Sequence, residues 1–140
     1  MKLVVDTNIL VSGSLWQGPS ARLISAALAG KAQLFLSLSI LLEFRETVQR
    51  PKFLQRLAAI GETPDTLLTR FRTAAYEAVP AALLPPVELR DRDDLHVLAS
   101  AVGVAADVIV TGDQDLLAMK SFEGIAIIDA VEALKRLGIS

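Results

Sequence analysis

The chain has 140 residues, 52% of them hydrophobic, 21% charged and only 5% aromatic, and its formal net charge is −2 from 14 basic and 16 acidic side chains. That length suits one domain, spanning residues 1–140, with a core large enough to fold unaided. The absence of cysteine excludes a disulfide framework, thiol catalysis and thiolate metal sites, and the single histidine, His96, excludes a multi-histidine zinc site. No apolar run reaches the roughly 18 residues of a membrane span, and the acid at Asp6 comes too early for a signal peptide, so the expected location is the cytoplasm. A near-neutral balance neither announces nor excludes a nucleic-acid partner, because the distribution of charge matters more than its sum.

Leu3-Val4-Val5 reads as a short strand that stops at Asp6-Thr7-Asn8. Gly18-Pro19-Ser20 opens a helix with proline in its first turn, and Gly30 closes it. Leu34-Phe35-Leu36 is a second buried strand, followed by a helix from an N-cap at Ser39 to about Gln49. Pro51 begins another helix, with Phe53, Leu54, Leu57 and Ile60 at helical spacing before Gly61. Thr63-Pro64-Asp65 caps a further helix to about Ala78, a short strand lies near Ala78-Val79, and Pro80 to Pro86 is a loop. Asp91-Arg92-Asp93-Asp94 precedes a helix through Val97, Leu98, Ala101 and Val102 that stops at Gly103. Val108-Ile109-Val110 is a strand ending in Thr111-Gly112-Asp113, and Ile125 to Ile128 is the last strand. Asp129 caps a closing helix that ends at Gly138. Aliphatic strands alternating with helices predict an α/β fold, a doubly wound parallel sheet with helices on both faces.

In such a sheet Asp6 and Asp113 lie just past the carboxyl ends of two strands, Glu43 lies early in the helix after the second strand, and Asp94 begins the helix before the third. All four therefore fall on the edge where doubly wound sheets bind ligands. Between Asp91 and Asp115 there are six acids against one base, Arg92, so local ion pairs do not neutralise them. Two carboxylates about 4 Å apart repel by about 4 kcal/mol at an effective dielectric of 20. A converging cluster must take up protons or bind a cation, and an all-oxygen donor set favours a hard ion, Mg²⁺ or Mn²⁺. Carboxylate-held metal is suited to hydrolysing phosphodiesters. Each acid also has a plain structural account. Asp6 can cap a turn through Asn8, Asp93 and Asp94 can cap a helix, Asp113 can make an Asx turn, and Glu43 can sit solvated beside an arginine. Asp115, Asp107, Asp91 and Asp129 read first as turn, strand-start, loop and cap residues.

Leu3-Val4-Val5-Asp6-Thr7-Asn8, Glu43 within Ser39-Ile40-Leu41-Leu42-Glu43-Phe44, Asp94 in Asp93-Asp94-Leu95-His96-Val97-Leu98-Ala99, and Val108-Ile109-Val110-Thr111-Gly112-Asp113-Gln114-Asp115-Leu116-Leu117 together resemble the PIN-domain family. The resemblance runs from Leu3 to about Leu137 and implies a three-layer α/β/α domain. It implies a metal-dependent endoribonuclease acting on single-stranded RNA, tRNA among the possible substrates, similar to the VapC-type toxins of toxin–antitoxin pairs. On that resemblance Asp6, Glu43, Asp94 and Asp113 are the catalytic set and hold Mg²⁺ or Mn²⁺, with Asn8, Thr111 and Asp115 in support. Asp94 is preferred over Asp93 by its distance from Leu98-Ala99. Thr7 is expected to pack rather than react. A cognate antitoxin and a homodimer are implied partners. The alternative is a non-catalytic RNA- or protein-binding module with the same fold, against which the intact four-acid set argues.

Other chemistries fit less well. Gly13 to Ser20 nearly spells a phosphate-cradling loop, but Pro19 stands where the lysine belongs. A phospho-acceptor receiver needs a lysine after its last strand, where Asp129 stands, and a haloacid-dehalogenase phosphatase needs an acid at Asn8. A serine triad would need His96, and no strained nucleophile elbow accompanies it. His96 reads as a helix-surface residue near enough to the acids to touch substrate, and Trp16 as a packing residue or a base-stacking platform. Arg45, Arg50, Lys52, Arg56, Arg70 and Arg72 concentrate in the middle of the chain. They are either a solvated, ion-paired face or a rim that tracks phosphates, for which Arg45, Arg50 and Arg72 are the candidates.

Overall fold

The computed structural model describes residues 1–83 and 94–139. Asp91, Arg92 and Asp93 lie outside the described residues, as does the part of the expected loop from residue 84 to residue 86. Strand β1 (Lys2–Val5) is followed by helices α1 (Thr7–Leu15) and α2 (Pro19–Leu28), then β2 (Gln33–Leu36) and the helices α3 (Leu38–Val48), α4 (Pro51–Ala59) and α5 (Pro64–Ala74). Strand β3 (Tyr76–Glu77) comes next, and α6 (Leu95–Gly103) leads into β4 (Val108–Val110). Helix α7 (Gln114–Met119), strands β5 (Ser121–Phe122) and β6 (Ile125–Ile128), and helix α8 (Ala130–Arg136) complete the order.

The strands form one sheet in the order β3-β2-β1-β4-β6-β5, parallel except for the β5–β6 hairpin. Val4 is aligned with Phe35 on one side and Ile109 on the other, and Val5 with Val110. The chain winds outward from β1 to β3 and then returns to lay β4 on the opposite side of β1. The order thus reverses between β1 and β4, and the crevice of a doubly wound sheet opens there, past the carboxyl ends of the strands. Leu3, Val4, Val5, Val108, Ile109 and Val110 are all buried. Consecutive buried residues mean that both faces of β1 and β4 are covered. Helices α2 and α8 pack on each other, while α6 lies against β1 and β4. Phe44 of α3 meets Phe71 of α5 edge to face at 5.5 Å, which anchors the helix that carries Glu43. Among the described residues no helix is long and apolar enough to cross a membrane.

The departures from the sequence expectation have local causes. Helix α1 was not expected, because its apolar residues alternate around the helix with Thr7, Asn8, Ser12 and Ser14 and form no stripe. What starts it is the carboxylate of Asp6, which accepts from the Ile9 amide. Ser37 caps α3, so the expected cap at Ser39 is two residues late. Helix α5 ends at Ala74, and β3 forms at Tyr76–Glu77 rather than at Ala78-Val79. Helix α7 has only six residues. The β5–β6 hairpin turns on Glu123 and Gly124, both at positive φ, which is the signature of a tight type I′ turn. Trp16 is 44% exposed and packs edge to face on Phe53 at 5.9 Å, which favours the packing account of that residue.

Gly103 does end the helix before β4, but its more demanding job is steric. The segment after β3 crosses α6 there, with the Ala81 amide donating to the Ala99 carbonyl at 2.9 Å. A Cβ on Gly103 would stand 2.0 Å from the Val79 carbonyl oxygen. Gly103→Ala should therefore destabilise the protein by about 1–3 kcal/mol, despite alanine's better helix propensity. Denaturant unfolding measures it, and a variant as stable as wild type would show that the crossing segment yields without cost.

Candidate active site

Asp6 leaves β1 at the reversal point and is buried, with 6% of its surface exposed. A buried carboxylate requires donors. It has two: Oδ1 accepts from the Ile9 amide at 3.0 Å, and Oδ2 accepts from the Thr111 hydroxyl. Its backbone is pinned as well, since the Asp6 amide donates to the Val110 carbonyl at 3.1 Å. Thr111 is fully buried at the end of β4, and its hydroxyl also accepts from the Asp113 amide at 3.0 Å. One hydroxyl thus ties together the strand ends that carry Asp6 and Asp113. Asp113 in turn caps α7: its Oδ1 accepts from the Asp115 amide at 2.8 Å and the Leu116 amide at 3.4 Å. Asp6 therefore caps α1 through Ile9 rather than a turn through Asn8, while Asp113 makes the Asx turn the plain account allowed and also caps α7.

Glu43 sits in the middle of α3, and its Oε2 is 2.9 Å from Nε2 of His96 in the first turn of α6. Asp94 stands just before α6 with helical backbone angles and makes no capping hydrogen bond to it, so the helix-cap reading of Asp94 does not hold. Burial pushes the Asp6 carboxyl above its ordinary value; the hydrogen bonds from Thr111 and Ile9 pull it back, and the negative charges of Asp113 and Glu43 raise it again. Asp113 and Glu43 are thus each within electrostatic reach of Asp6, although the three come from separate elements. They are not a closed coordination cage: among the described residues, no three Asp, Glu or His side chains are gathered to hold one ion. Oδ2 of Asp113 and Oε1 of Glu43 accept no hydrogen bond among the described residues. Oxygen donors left over from their structural bonds, beside a buried acid that its neighbours charge unfavourably, suit a hard divalent cation.

The remaining candidates separate. Asn8 is exposed on the first turn of α1, where its carbonyl accepts from the Ser12 hydroxyl. Asp115 is exposed in the first turn of α7 and meets Asp113 only through its own amide. Thr7 is buried, as its packing role requires. Of the basic residues, Arg70 is paired with Glu62, Arg56 donates to the Leu15 carbonyl, and Lys52 lies over the Phe53 ring. Arg45, Arg50 and Arg72 are exposed and make no ion pair among the described residues. Arg45 and Arg72 line a groove of about 410 Å³ with Leu38, Leu42, Leu68 and Tyr76. On α3, residues 38, 42 and 45 share one stripe, and Glu43 lies on another flank, so the groove is separate from the acidic crevice. Arg50 lies beyond the end of α3. The residue that sequence reasoning undervalued is His96. Its partner is remote in sequence, and nothing local to either residue signals the contact.

The match to known proteins follows from this arrangement. The family model described as PIN domain covers residues 2–115, from β1 to the Asp113 cap. The chain belongs to the PIN-domain family. The structure is also similar to a chain in the crystal structure of VapBC2 from Rickettsia felis bound to a DNA fragment from its promoter. The likeness has a TM-score of 0.59 at 14% identity and covers 92% of this chain and 98% of that one. No curated protein matches the sequence. The PIN-domain match takes in all four expected acids, and the structural likeness carries the fold on past α7.

A raised carboxyl makes a signed prediction for this PIN domain. A group whose folded pKa lies above its unfolded one contributes stability at low pH and loses it as pH rises through the folded value. Ionised Asp6 therefore strains the metal-free fold at neutral pH. Asp6→Asn keeps an acceptor for the Ile9 amide and removes the charge, so in chelator it should melt above wild type at neutral pH. The advantage should vanish below the ordinary carboxyl value of 3.8, where wild-type Asp6 is protonated too. Melting curves across pH measure it; a variant that melts lower at neutral pH would mean that the hydrogen bonds to the carboxylate outweigh the strain.

Proposed function

We propose that this PIN domain is a metal-dependent endoribonuclease that hydrolyses phosphodiester bonds in single-stranded RNA. We further propose that it is the toxin of a toxin–antitoxin pair in the cytoplasm, with tRNA among its possible substrates, a cognate antitoxin as partner and a homodimer as its assembly. The observation that carries the reading is the buried Asp6 carboxylate at the point where the sheet order reverses, with the charges of Asp113 and Glu43 bearing on it. The toxin assignment is supported by the family match and by the fold shared with a chain of VapBC2.

In this reading Asp6, Glu43, Asp94 and Asp113 hold Mg²⁺ or Mn²⁺. The ion, when bound, supplies Lewis-acid stabilisation of phosphoryl charge and makes water more acidic. The protein's own part is positioning. The Thr111 hydroxyl holds Asp6 and the start of the Asp113 turn in one register, so that two strand ends present their carboxylates together. The α7 amides fix Oδ1 of Asp113, and Oδ2 accepts no hydrogen bond among the described residues. In this reading Asn8 and Asp115, exposed on the first turns of α1 and α7, are the supporting residues that meet substrate or solvent. Since the acidic centre repels RNA, cationic groups must offset it, and Arg45, Arg50 and Arg72 take that role.

Cleavage of single-stranded RNA should require Mg²⁺ or Mn²⁺ and stop in chelator, and Asp113→Asn should lower the rate by at least about 100-fold. A purified protein that binds RNA and never cleaves it would support the binding-module alternative instead. Replacing Arg45, Arg50 or Arg72 by Gln should weaken RNA binding uniformly across sequences. For each, the slope of log K against log salt should become shallower by about 0.7. Salt titrations that leave all three slopes unchanged would return these arginines to a solvated face.

A further inference from the structure

Asp6 and the two carboxylates whose charge it feels each have a polar partner, and the partners are unequal in kind. Asp6 is short, buried and held at both oxygens. Asp113 is short and held by two amides of the helix it caps. Glu43 is the long one, with a side chain 44% exposed and an extra rotatable bond. Its Oε2 lies 2.9 Å from Nε2 of His96, across the gap between α3 and α6. The imidazole is itself well placed for this. Its side chain is only 22% exposed, and its Nδ1 is buried without a partner among the described residues. A bare ring nitrogen is tolerable as a lone pair and costly as an N–H, so the geometry favours the tautomer that donates through Nε2. The Ser100 hydroxyl, donating to the His96 carbonyl, adds a bond within the first turns of α6.

We infer that His96 is a positioning residue: its Nε2–H fixes Oε2 of Glu43 and thereby aims the other oxygen, Oε1, into the acidic crevice. The inference rests on the metal-dependent reading above. It adds that the site is completed from α6 by an imidazole, which holds a carboxylate and does not itself ligate. Groups that orient ligating carboxylates contribute about 10–100-fold to metal affinity.

The test uses two amides that differ in reach. Gln places its amide nitrogen near the position of Nε2, whereas Asn places its own near the position of Nδ1, short of Glu43. Mn²⁺ binding to the metal-free, full-length protein is followed by electron paramagnetic resonance, with thermal melts confirming that each variant is folded. His96→Asn should bind Mn²⁺ at least about 10-fold more weakly than wild type, and His96→Gln should recover most of the loss. In a Glu43→Gln background, the step from His96 to Asn should cost less than about 2-fold, because the group it acts through is already gone. Wild-type affinity in folded His96→Asn, or an undiminished penalty in the Glu43→Gln background, would overturn the inference. Equal Mn²⁺ affinity in wild type and Glu43→Gln would overturn the metal assignment of Glu43, and the role of His96 with it. Nitrogen chemical shifts of the His96 ring read the contact without metal: a protonated Nε2 that responds to Glu43→Gln is expected. If those shifts respond while Mn²⁺ affinity does not, the pairing stands as an interhelical tie alone and the positioning role fails.

Discussion

A carboxylate buried at the end of a strand governs this molecule. Asp6 is taken out of water where β1 stops, and three neighbours answer for it: the Ile9 amide, the Thr111 hydroxyl and the backbone of β4. Each answer has a structural consequence. The Ile9 amide turns the chain directly into α1. The Thr111 hydroxyl, which also accepts from the Asp113 amide, locks β4 to β1 at their carboxyl ends. The parallel register that aligns Val5 with Val110 is what brings those groups within reach. Burial raises the Asp6 carboxyl and the hydrogen bonds only partly offset it, so the protein holds an uncomfortable charge at the one place where the sheet order reverses.

The same arrangement explains why structural and chemical roles coincide in these acids. A helix cap needs a carboxylate oxygen aimed at amides, while a cation site needs one aimed at open space. Asp113 has two oxygens and can do both, since Oδ1 takes the α7 amides and Oδ2 is left over. Capping and ligation are therefore compatible uses of one side chain. Glu43 has no such local partner and reaches across to α6, which makes the spacing between α3 and α6 part of the site. Phe44 and Phe71, packed edge to face, and the fully buried Ile40 set the depth of α3 and so the position of Glu43.

Charge is divided between two places. The crevice holds buried Asp6 under the charges of Asp113 and Glu43, and the groove along the far flank of α3 carries Arg45 and Arg72 beside Leu38, Leu42 and Leu68. The separation follows from helical geometry: residues 43 and 45 are adjacent in sequence terms, but a two-residue step turns a helix by about 200°. A chain of phosphates spanning both regions would have to pass over α3.

The amino-acid sequence by itself determined the alternation of strands and helices, because aliphatic strands, prolines at helix starts and glycines at helix ends are local signals. It also located Asp6, Glu43, Asp94 and Asp113 on one edge, since that needs only the direction of a parallel strand and of the helix joined to it. It missed α1, whose polar and apolar residues do not separate onto two faces, and it placed the cap of α3 at Ser39 in place of Ser37, because both serines are competent caps and only the chain path selects between them. Residue 93 lies outside the described residues, so the preference for Asp94 still rests on spacing. Tertiary structure alone decided which acids bear on Asp6, that Thr111 joins Asp6 to the Asp113 turn, and that His96 faces Glu43. Those contacts join residues remote in sequence, and their distances are set by strand register and helix packing. No local pattern encodes such distances, because they depend on how the whole core closes.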